Sequence, residues 1–419
     1  MFIIPTVLYA FWQYGWYCLG RSRLDCMRNM TKYLYHKNIV FSKLFQNMSI
    51  AINILSKEEI ELLYSYNEHV PFTLNELYDI QIIMDDLNIH SGKDKIILTS
   101  PLPCKSGMIS VVYYATMGEQ DIVIKVKRPN ITIQLLEGLN EFKRLIQWIQ
   151  YLPYLYEFDL LTIYHENTTD MINQVDFKNE INNLISIQHN FKNIKYVVIP
   201  TVYPIFTSLN DNIIVMERLI GNKLQDISIN TRLYEQYILL LFKLTIKSLL
   251  YDGCYHGDLH TGNIIFLSEE EPKIGLIDFG IIGRITRESQ NNFYNFMKAS
   301  LLDKDFDKAS YIVTTHMLHP PSNYNELSLL TKQTILKDII NILKNTELTG
   351  TFDIQFMYNL NHVLYKHKLS LDRDFCKIQL SMLISFSVTD VLCKKCDNTF
   401  IHYFSQALVE FFNDELNLE

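Results

Sequence analysis

The spacing of apolar residues along this chain changes several times, and the changes divide it. Residues 1–20 are almost wholly apolar or aromatic. From 21 to 95 apolar residues recur at helical spacing, as in Ile50-Ala51-Ile52-Asn53-Ile54-Leu55. Ser56-Lys57-Glu58-Glu59, just ahead of Ile60-Glu61-Leu62-Leu63, has the form of a capping box. Near Ile96 the pattern turns β-rich: Ile96-Ile97-Leu98, Ile109-Ser110-Val111-Val112-Tyr113-Tyr114-Ala115, a Met117-Gly118-Glu119 turn, and Ile122-Val123-Ile124-Lys125-Val126. The two longer runs predict a hairpin. Helices are expected over 131–152 and about 171–189, and strands over 196–199 and 212–216 are expected to complete a small sheet with one main helix. After Glu217-Arg218-Leu219-Ile220-Gly221 the chain reads as helix, with an apolar stretch over 231–251 that stops at Asp252-Gly253. Short strands flank the loops of residues 256–280, and helix is expected from Ile285 onward, with turns at Pro320-Pro321 and Thr349-Gly350. The organisation is α+β: an apolar segment (1–20), a helical extension (21–95), a small sheet-bearing lobe (96–220) and a helical lobe (221–419).

A length of 419 residues suits two lobes plus extensions. The 38 basic and 46 acidic residues give a net charge of −8 without a long basic run, so nucleic acid is not expected as a partner. The seven cysteines form no regular framework, which points to reduced thiols in a cytosolic-type compartment. Cys393-Lys394-Lys395-Cys396 stands alone, and a closed zinc site needs four ligands, so two helix-borne thiols are the simpler reading. Residues 1–20 just reach the roughly 20 needed to span a bilayer, although Pro5, Gln13 and Gly15 interrupt them. Two readings stand: a membrane-associated segment, or an apolar helix docked on the protein's own surface. If the segment spans, Arg21, Arg23 and Arg28 after it place the rest on the cytoplasmic side.

Candidate chemistry is concentrated in two loops. Asp258, in His256-Gly257-Asp258-Leu259-His260-Thr261-Gly262-Asn263, precedes Asn263 by the spacing that sets a catalytic carboxylate and a Mg²⁺-binding amide on one turn. Asp278 opens Asp278-Phe279-Gly280 directly behind the apolar run Ile274-Gly275-Leu276-Ile277. A carboxylate at a strand end is suited to hold Mg²⁺ against phosphate oxygens. Each tripeptide alone is an ordinary turn; in this order, with a strand between them, they point to phosphoryl transfer from ATP. His256 and His260 read as braces of the loop, with Gly262 letting the backbone turn back to present Asn263. Lys125 lies inside a strand with one apolar face, where a charge is costly unless something receives it. ATP phosphates and a helix glutamate, best Glu180, would do so; the plainer reading is an outward-facing surface lysine.

The stretch Ile124-Lys125-Val126-Lys127-Arg128-Pro129-Asn130-Ile131 resembles the VKVQRPG element of the UbiB family of atypical kinases. Gln174-Val175-Asp176-Phe177-Lys178-Asn179-Glu180 is similar to that family's ExDxxxE helix, residues 256–263 to its HxDxHPGN loop, and Asp278-Phe279-Gly280-Ile281-Ile282-Gly283-Arg284 to its DFGxxGR. Lys43-Leu44-Phe45-Gln46 resembles the preceding KxGQ element, and Val70-Pro71-Phe72 the VPPF after it. The resemblance implies a protein-kinase-like two-lobed fold with a helical N-terminal extension over the active site and a helical C-terminal lobe. It also implies ATP and Mg²⁺ as cofactors, kinase or ATPase activity, and a role at membranes in isoprenoid-quinone or lipid metabolism. Carried over, Lys125 is the phosphate lysine, Glu180 its partner, Asp258 the catalytic carboxylate, and Asn263 and Asp278 the Mg²⁺ ligands. Ser106, Gly107 and Glu217 fall on the nucleotide, and Lys43, Gln46, Gln174 and Asp176 on regulation by the extension.

The match has three departures. The alanine-rich nucleotide loop is here Lys105-Ser106-Gly107-Met108-Ile109-Ser110-Val111-Val112, the KxGQ glycine is Phe45, and the first glutamate of ExD is Gln174. Gln174 offers Lys43 at best a charge–dipole hydrogen bond, so weaker autoinhibition or altered nucleotide preference is expected. A small-molecule kinase of the aminoglycoside or choline type shares the two signature loops, and a nucleotide-binding pseudokinase is the third reading. No Ala-Pro-Glu segment for peptide docking follows Asp278, which fits a lipid-linked or small substrate.

Overall fold

Ser22 Oγ accepts the Asp25 N–H at 3.1 Å and so caps a helix that the preceding apolar helix packs against. These two helices open a computed structural model that describes residues 3–38, 40–41, 56, 58–59, 62, 77–149, 164, 168–169, 171–228, 230–349 and 354–415. The chain divides into two compact units, Met1–Ile185 with Thr201–Arg218, and Ser186–Pro200 with Leu219–Glu419.

The first unit holds helices α1 (Ile3–Cys18), α2 (Arg23–Lys37), α3 (Ile80–His90), α4 (Ile131–Ile149), α5 (Phe177–Asn190, to residue 185) and α6 (Pro204–Leu209). The capping box forms as the sequence predicts: Glu59 N–H reaches Ser56 Oγ at 3.3 Å and Ser56 N–H reaches Glu59 Oε2 at 2.8 Å. Glu59, 3% exposed, also receives the Arg23 guanidinium, which holds its carboxyl below the usual range. The flanking runs at 50–55 and 70–72 lie outside the described residues, as do Lys43 and Gln46.

The sheet of this unit comprises β1 (Ile96–Leu98), β2 (Lys105–Ser106), β3 (Ser110–Met117), β4 (Gln120–Lys127) and β6 (Ile213–Glu217), ordered β1-β3-β4-β6 with β2 on β3, all antiparallel. Gly118, at φ +61°, supplies the turn between β3 and β4. Val111, Tyr113 and Ala115 of β3, with Ile122, Ile124 and Val126 of β4, form one apolar face packed on Ile83, Met84 and Leu87 of α3 and Phe206 of α6. The strand period therefore assigns Lys125 and Lys127 to the other face. A separate core joins Leu135, Leu139 and Phe142 of α4 to Leu34, Val40 and Phe41.

The second unit carries β5 (Val197–Val198), α7 (Thr231–Ile246), β7 (Cys254–His256), β8 (Ile264–Leu267), β9 (Lys273–Leu276) and β10 (Ile282–Arg284), then helices α8 (Arg287–Met297) through α14. Within that run, α13 is Arg373–Cys393 and α14 is Phe400–Glu415. The strand expected over 196–199 does not join the sheet of the first unit; Val197–Val198 pairs parallel with Ile274–Gly275 of β9. Residues 201–203 occupy the β6 edge instead, with Glu217 N–H on Thr201 O at 2.7 Å and Tyr203 N–H on Val215 O at 2.9 Å. α13 is the helix among the described residues long and apolar enough to cross a membrane, but its Phe386 sits in an aromatic cluster with Phe242 of α7 and Phe400 and Phe404 of α14, centroids 4.9–5.6 Å away. Within residues 1–20, singled out by the sequence, the described helix is Ile3–Cys18, 16 residues. At about 1.5 Å per residue that is about 24 Å, short of a ~30 Å hydrocarbon core.

Candidate phosphotransfer site

The two signature loops lie in the second unit, where β7 and β10 pair antiparallel and bring them side by side. Two glycines permit that approach: a Cβ at Gly257 would lie 2.4 Å from Ile281 Cγ2, and one at Gly283 would enter the Tyr255 ring at 1.8 Å. Gly257 N–H then donates to Ile281 O at 2.9 Å. His256 ties the loops again, since its Nε2 lies 2.6 Å from Asp278 O and its Nδ1 accepts the Asp258 N–H at 3.2 Å. An Nε2–H tautomer satisfies both contacts, and the ring is neutral. Burial lowers its pKa from the ordinary 6.5, only partly opposed by Asp278. A brace, the role read from sequence, is what this geometry gives.

Asp258 is 8% exposed and Asn263 9%. The Asn263 Nδ2 donates to Asp258 O at 2.9 Å, so the loop backbone takes the amide's donor and not its oxygen. Asp278 Oδ1 accepts Gly280 N–H at 3.0 Å, which fixes the carboxylate. A carboxylate and an amide oxygen are the hard donors that Mg²⁺ takes, so this pair fits the metal the resemblance implies. Among the described residues no group of three or more His, Cys, Asp or Glu is placed to hold a metal ion. The loop turns at Gly262 for a different reason from the one expected: its φ is not positive, and a Cβ there would meet the His260 ring at 2.7 Å. His260 Nδ1 accepts the Gly262 N–H at 3.0 Å.

In the first unit Lys125 Nζ contacts both oxygens of Glu180, at 2.8 and 2.9 Å, with side chains 12% and 4% exposed. The outward-facing reading of Lys125 is thereby overturned. Phe177, fully buried at the start of α5, lies 5.6 Å from the Lys125 ammonium and 5.0 Å from that of Lys127. Asp176 Oδ1 accepts Lys178 N–H at 3.0 Å and caps α5, interrupting the single helix predicted over 171–189. Gln174 is buried, and among the described residues its Oε1 has no hydrogen-bond partner. Ser106 ends β2 and Gly107 begins the turn after it. Glu217 ends β6, and its Oε2 accepts the Thr201 N–H at 3.0 Å, so its side chain secures the strand edge.

Two side chains at these loops went unassigned in the sequence. Arg128 contacts Ser106 and Gly107; the sequence marked it only as part of the 124–131 resemblance, just after the strand that carries Lys125, and gave it no role. Lys223 Nζ donates to Gly262 O at 3.0 Å, a contact across 39 residues with no local signature.

Residues 99–312 match the ABC1 atypical kinase-like domain. That is half of the chain, and the chain belongs to this family, with its α+β, protein-kinase-like fold. Among curated proteins it is similar to the probable protein kinase UbiB of an Enterobacter species, 29% identical over 238 residues, or 54% of this chain and 42% of that one. It is 30% identical over 202 residues to the probable protein kinase UbiB of Blochmanniella pennsylvanica, or 45% of this chain and 36% of that one. The chain thus spans less than half the length of these relatives. A Mycobacterium tuberculosis protein solved in complex with erythromycin superposes with a TM-score of 0.48 at 16% identity, over 73% of this chain and 75% of that one.

Proposed function

We propose that the chain is a UbiB-like atypical kinase or ATPase that binds ATP with Mg²⁺ and acts in isoprenoid-quinone or lipid metabolism at a membrane. The observation that carries this reading is the two-pronged Lys125–Glu180 pair. A lysine desolvated to this degree needs anionic partners, and Glu180 orients it as a phosphate-binding lysine is oriented. In this reading Lys125 holds the α- and β-phosphates, and Asn263 and Asp278 hold the metal, which neutralises phosphate charge. Asp258 orients the acceptor hydroxyl or water and takes its proton. Lys43 and Gln46 of the extension act with Gln174 and Asp176 of the sheet-bearing lobe in regulation.

The membrane part of the proposal is supported by α1. Its inward face buries Gln13, bonded to Asn29 Nδ2 at 3.4 Å, while Leu8, Phe11, Trp12, Trp16 and Leu19 are exposed on one stripe. Residues 21–37 add five basic side chains against one acidic, within a chain of net charge −8. A helix of this kind suits the plane of an anionic bilayer surface.

The test is Mg²⁺-dependent ATP hydrolysis by the wild type and by Asp278→Asn. Hydrolysis that falls at least ~100-fold in the variant is expected. Nucleotide-induced thermal stabilisation without turnover in the wild type would favour the pseudokinase. Rapid phosphorylation of a soluble small-molecule alcohol would favour the aminoglycoside- or choline-type reading.

A further inference from the structure

The loop Lys105-Ser106-Gly107-Met108 has a single glycine, and its shape does not depend on that glycine. Gly107 is not at positive φ. A Cβ built on it would meet only Ser110 O, at 3.4 Å, the edge of ordinary contact. A glycine-rich phosphate loop works because glycine backbone adopts turns closed to other residues. Here something else must hold the turn.

Arg128 is placed to do so. It follows directly on β4, three residues after Lys125, and is 7% exposed. Its Nε donates to Gly107 O at 3.0 Å and its Nη2 to Ser106 Oγ at 2.7 Å. Its backbone N–H donates to Ile109 O at 2.8 Å, and Gly107 N–H closes the turn on Ser110 O at 2.9 Å. The turn of residues 106–109 is therefore gripped by both the side chain and the main chain of residue 128. A guanidinium presents its donors in one rigid plane, which matches a carbonyl and a hydroxyl on neighbouring residues; an ammonium is a single point and cannot span both.

We propose that Arg128 is the positioning residue of nucleotide binding in this chain: its buried fork fixes Ser106 and Gly107 in the turn that meets the ATP phosphates. The arginine takes over the task that glycine conformation performs in glycine-rich loops. It also makes the loop and the phosphate lysine parts of one body, since one is set by Arg128, directly after β4, and the other lies within β4.

This inference rests on the ATP-binding reading, so the experiment has one arm that needs no nucleotide. In the full-length protein, amide hydrogen exchange at residues 106–109 is measured in wild type, Arg128→Lys, Arg128→Met and Gly107→Ala, with the amides of α7 as internal reference. Exchange in the loop is expected to rise about ten-fold or more in both arginine variants and to change about two-fold in Gly107→Ala, with α7 unaltered. Calorimetric titration with Mg·ADP is expected to follow the same order: Kd weaker by about ten-fold in Arg128→Met, not restored by Arg128→Lys, and by about two-fold in Gly107→Ala. In ATP turnover KM rises while kcat changes little, because Arg128 does not touch the reacting atoms. Loop protection as in wild type in Arg128→Met, restoration by lysine, or a larger loss in Gly107→Ala than in Arg128→Met would overturn the proposal. If Arg128→Met does not fold, Arg128→Lys and Ser106→Ala, which removes one acceptor of the fork, decide it by the same loop exchange. Absence of Mg·ADP binding by the wild type would defeat the ATP reading and leave the fork to be judged by exchange alone.

Discussion

Both oxygens of Glu180 lie within 2.9 Å of the Lys125 ammonium, so neither charge tolerates removal of the other. Truncating one member of a buried ion pair costs about 3–5 kcal/mol, whereas replacing both with apolar groups is often near neutral. Lys125→Met and Glu180→Met are each expected to lower the midpoint of denaturant unfolding, and the double variant to recover most of the loss. Nucleotide binding is not expected to recover in any of the three, and the two readouts together separate stability from function. His256 makes a different prediction. Its folded pKa lies below the 6.5 of the free side chain, so as pH falls below that value the unfolded chain takes up a proton that the folded one does not. Stability is then lost on the acid side. The fall in melting temperature between about pH 7.5 and about pH 5.5 is expected to be smaller in His256→Gln than in wild type. An equal fall in both would assign the acid sensitivity to other groups.

Among the elements, α1 is unusual in turning its glutamine inward and its tryptophans outward. Its inner side also packs Val7 and Ala10 on the core, so the exposed stripe of Leu8, Trp12 and Trp16 is a second apolar face, and that face is what supports the proposal of a bilayer surface. The chain has three tryptophans, of which Trp12 and Trp16 lie on α1, so Trp148→Phe leaves α1 as the sole reporter. Vesicles containing anionic lipid are expected to shift the emission of this variant to the blue, and neutral vesicles to shift it less. No shift with either would detach the exposed stripe from the membrane reading. The helix break at Val175–Asp176 is a second lesson at this scale. Apolar periodicity carried the 171–189 prediction across it, although Asp176 is an ordinary N-cap residue. The cap starts α5 immediately before Phe177 and so sets the phase that turns Glu180 toward Lys125.

For the molecule as a whole, what could be read from the sequence was what short-range chemistry imposes. The β3–β4 hairpin follows from alternation around Gly118, the capping box from Ser56 and Glu59, and the signature loops from Asp, Asn and Gly at set offsets along a few residues. Those offsets were enough for phosphotransfer chemistry, because the loops must present their oxygens in a fixed local geometry whatever surrounds them; the family resemblance needed the flanking Lys43–Gln46, Lys125–Pro129 and Gln174–Glu180 stretches as well. Long-range pairing was not readable in the same way. Val197–Val198 and Ile213–Glu217 both read as strands, but only the occupied edge of β6 decides that the first pairs with β9. The length and apolarity of Arg373–Cys393 are those of a membrane span, and only its packing beside Phe242, Phe400 and Phe404 makes it a core helix. Gly107 drew attention as a residue type, yet the grip on its loop comes from Arg128, a contact over 21 residues. By itself the sequence determined which chemical groups are present and the local turns that carry them, since backbone propensity acts over a few residues. Which charge meets which, and what holds the turn of residues 106–109, was decided by the tertiary structure alone, because burial removes the water that would otherwise satisfy those groups.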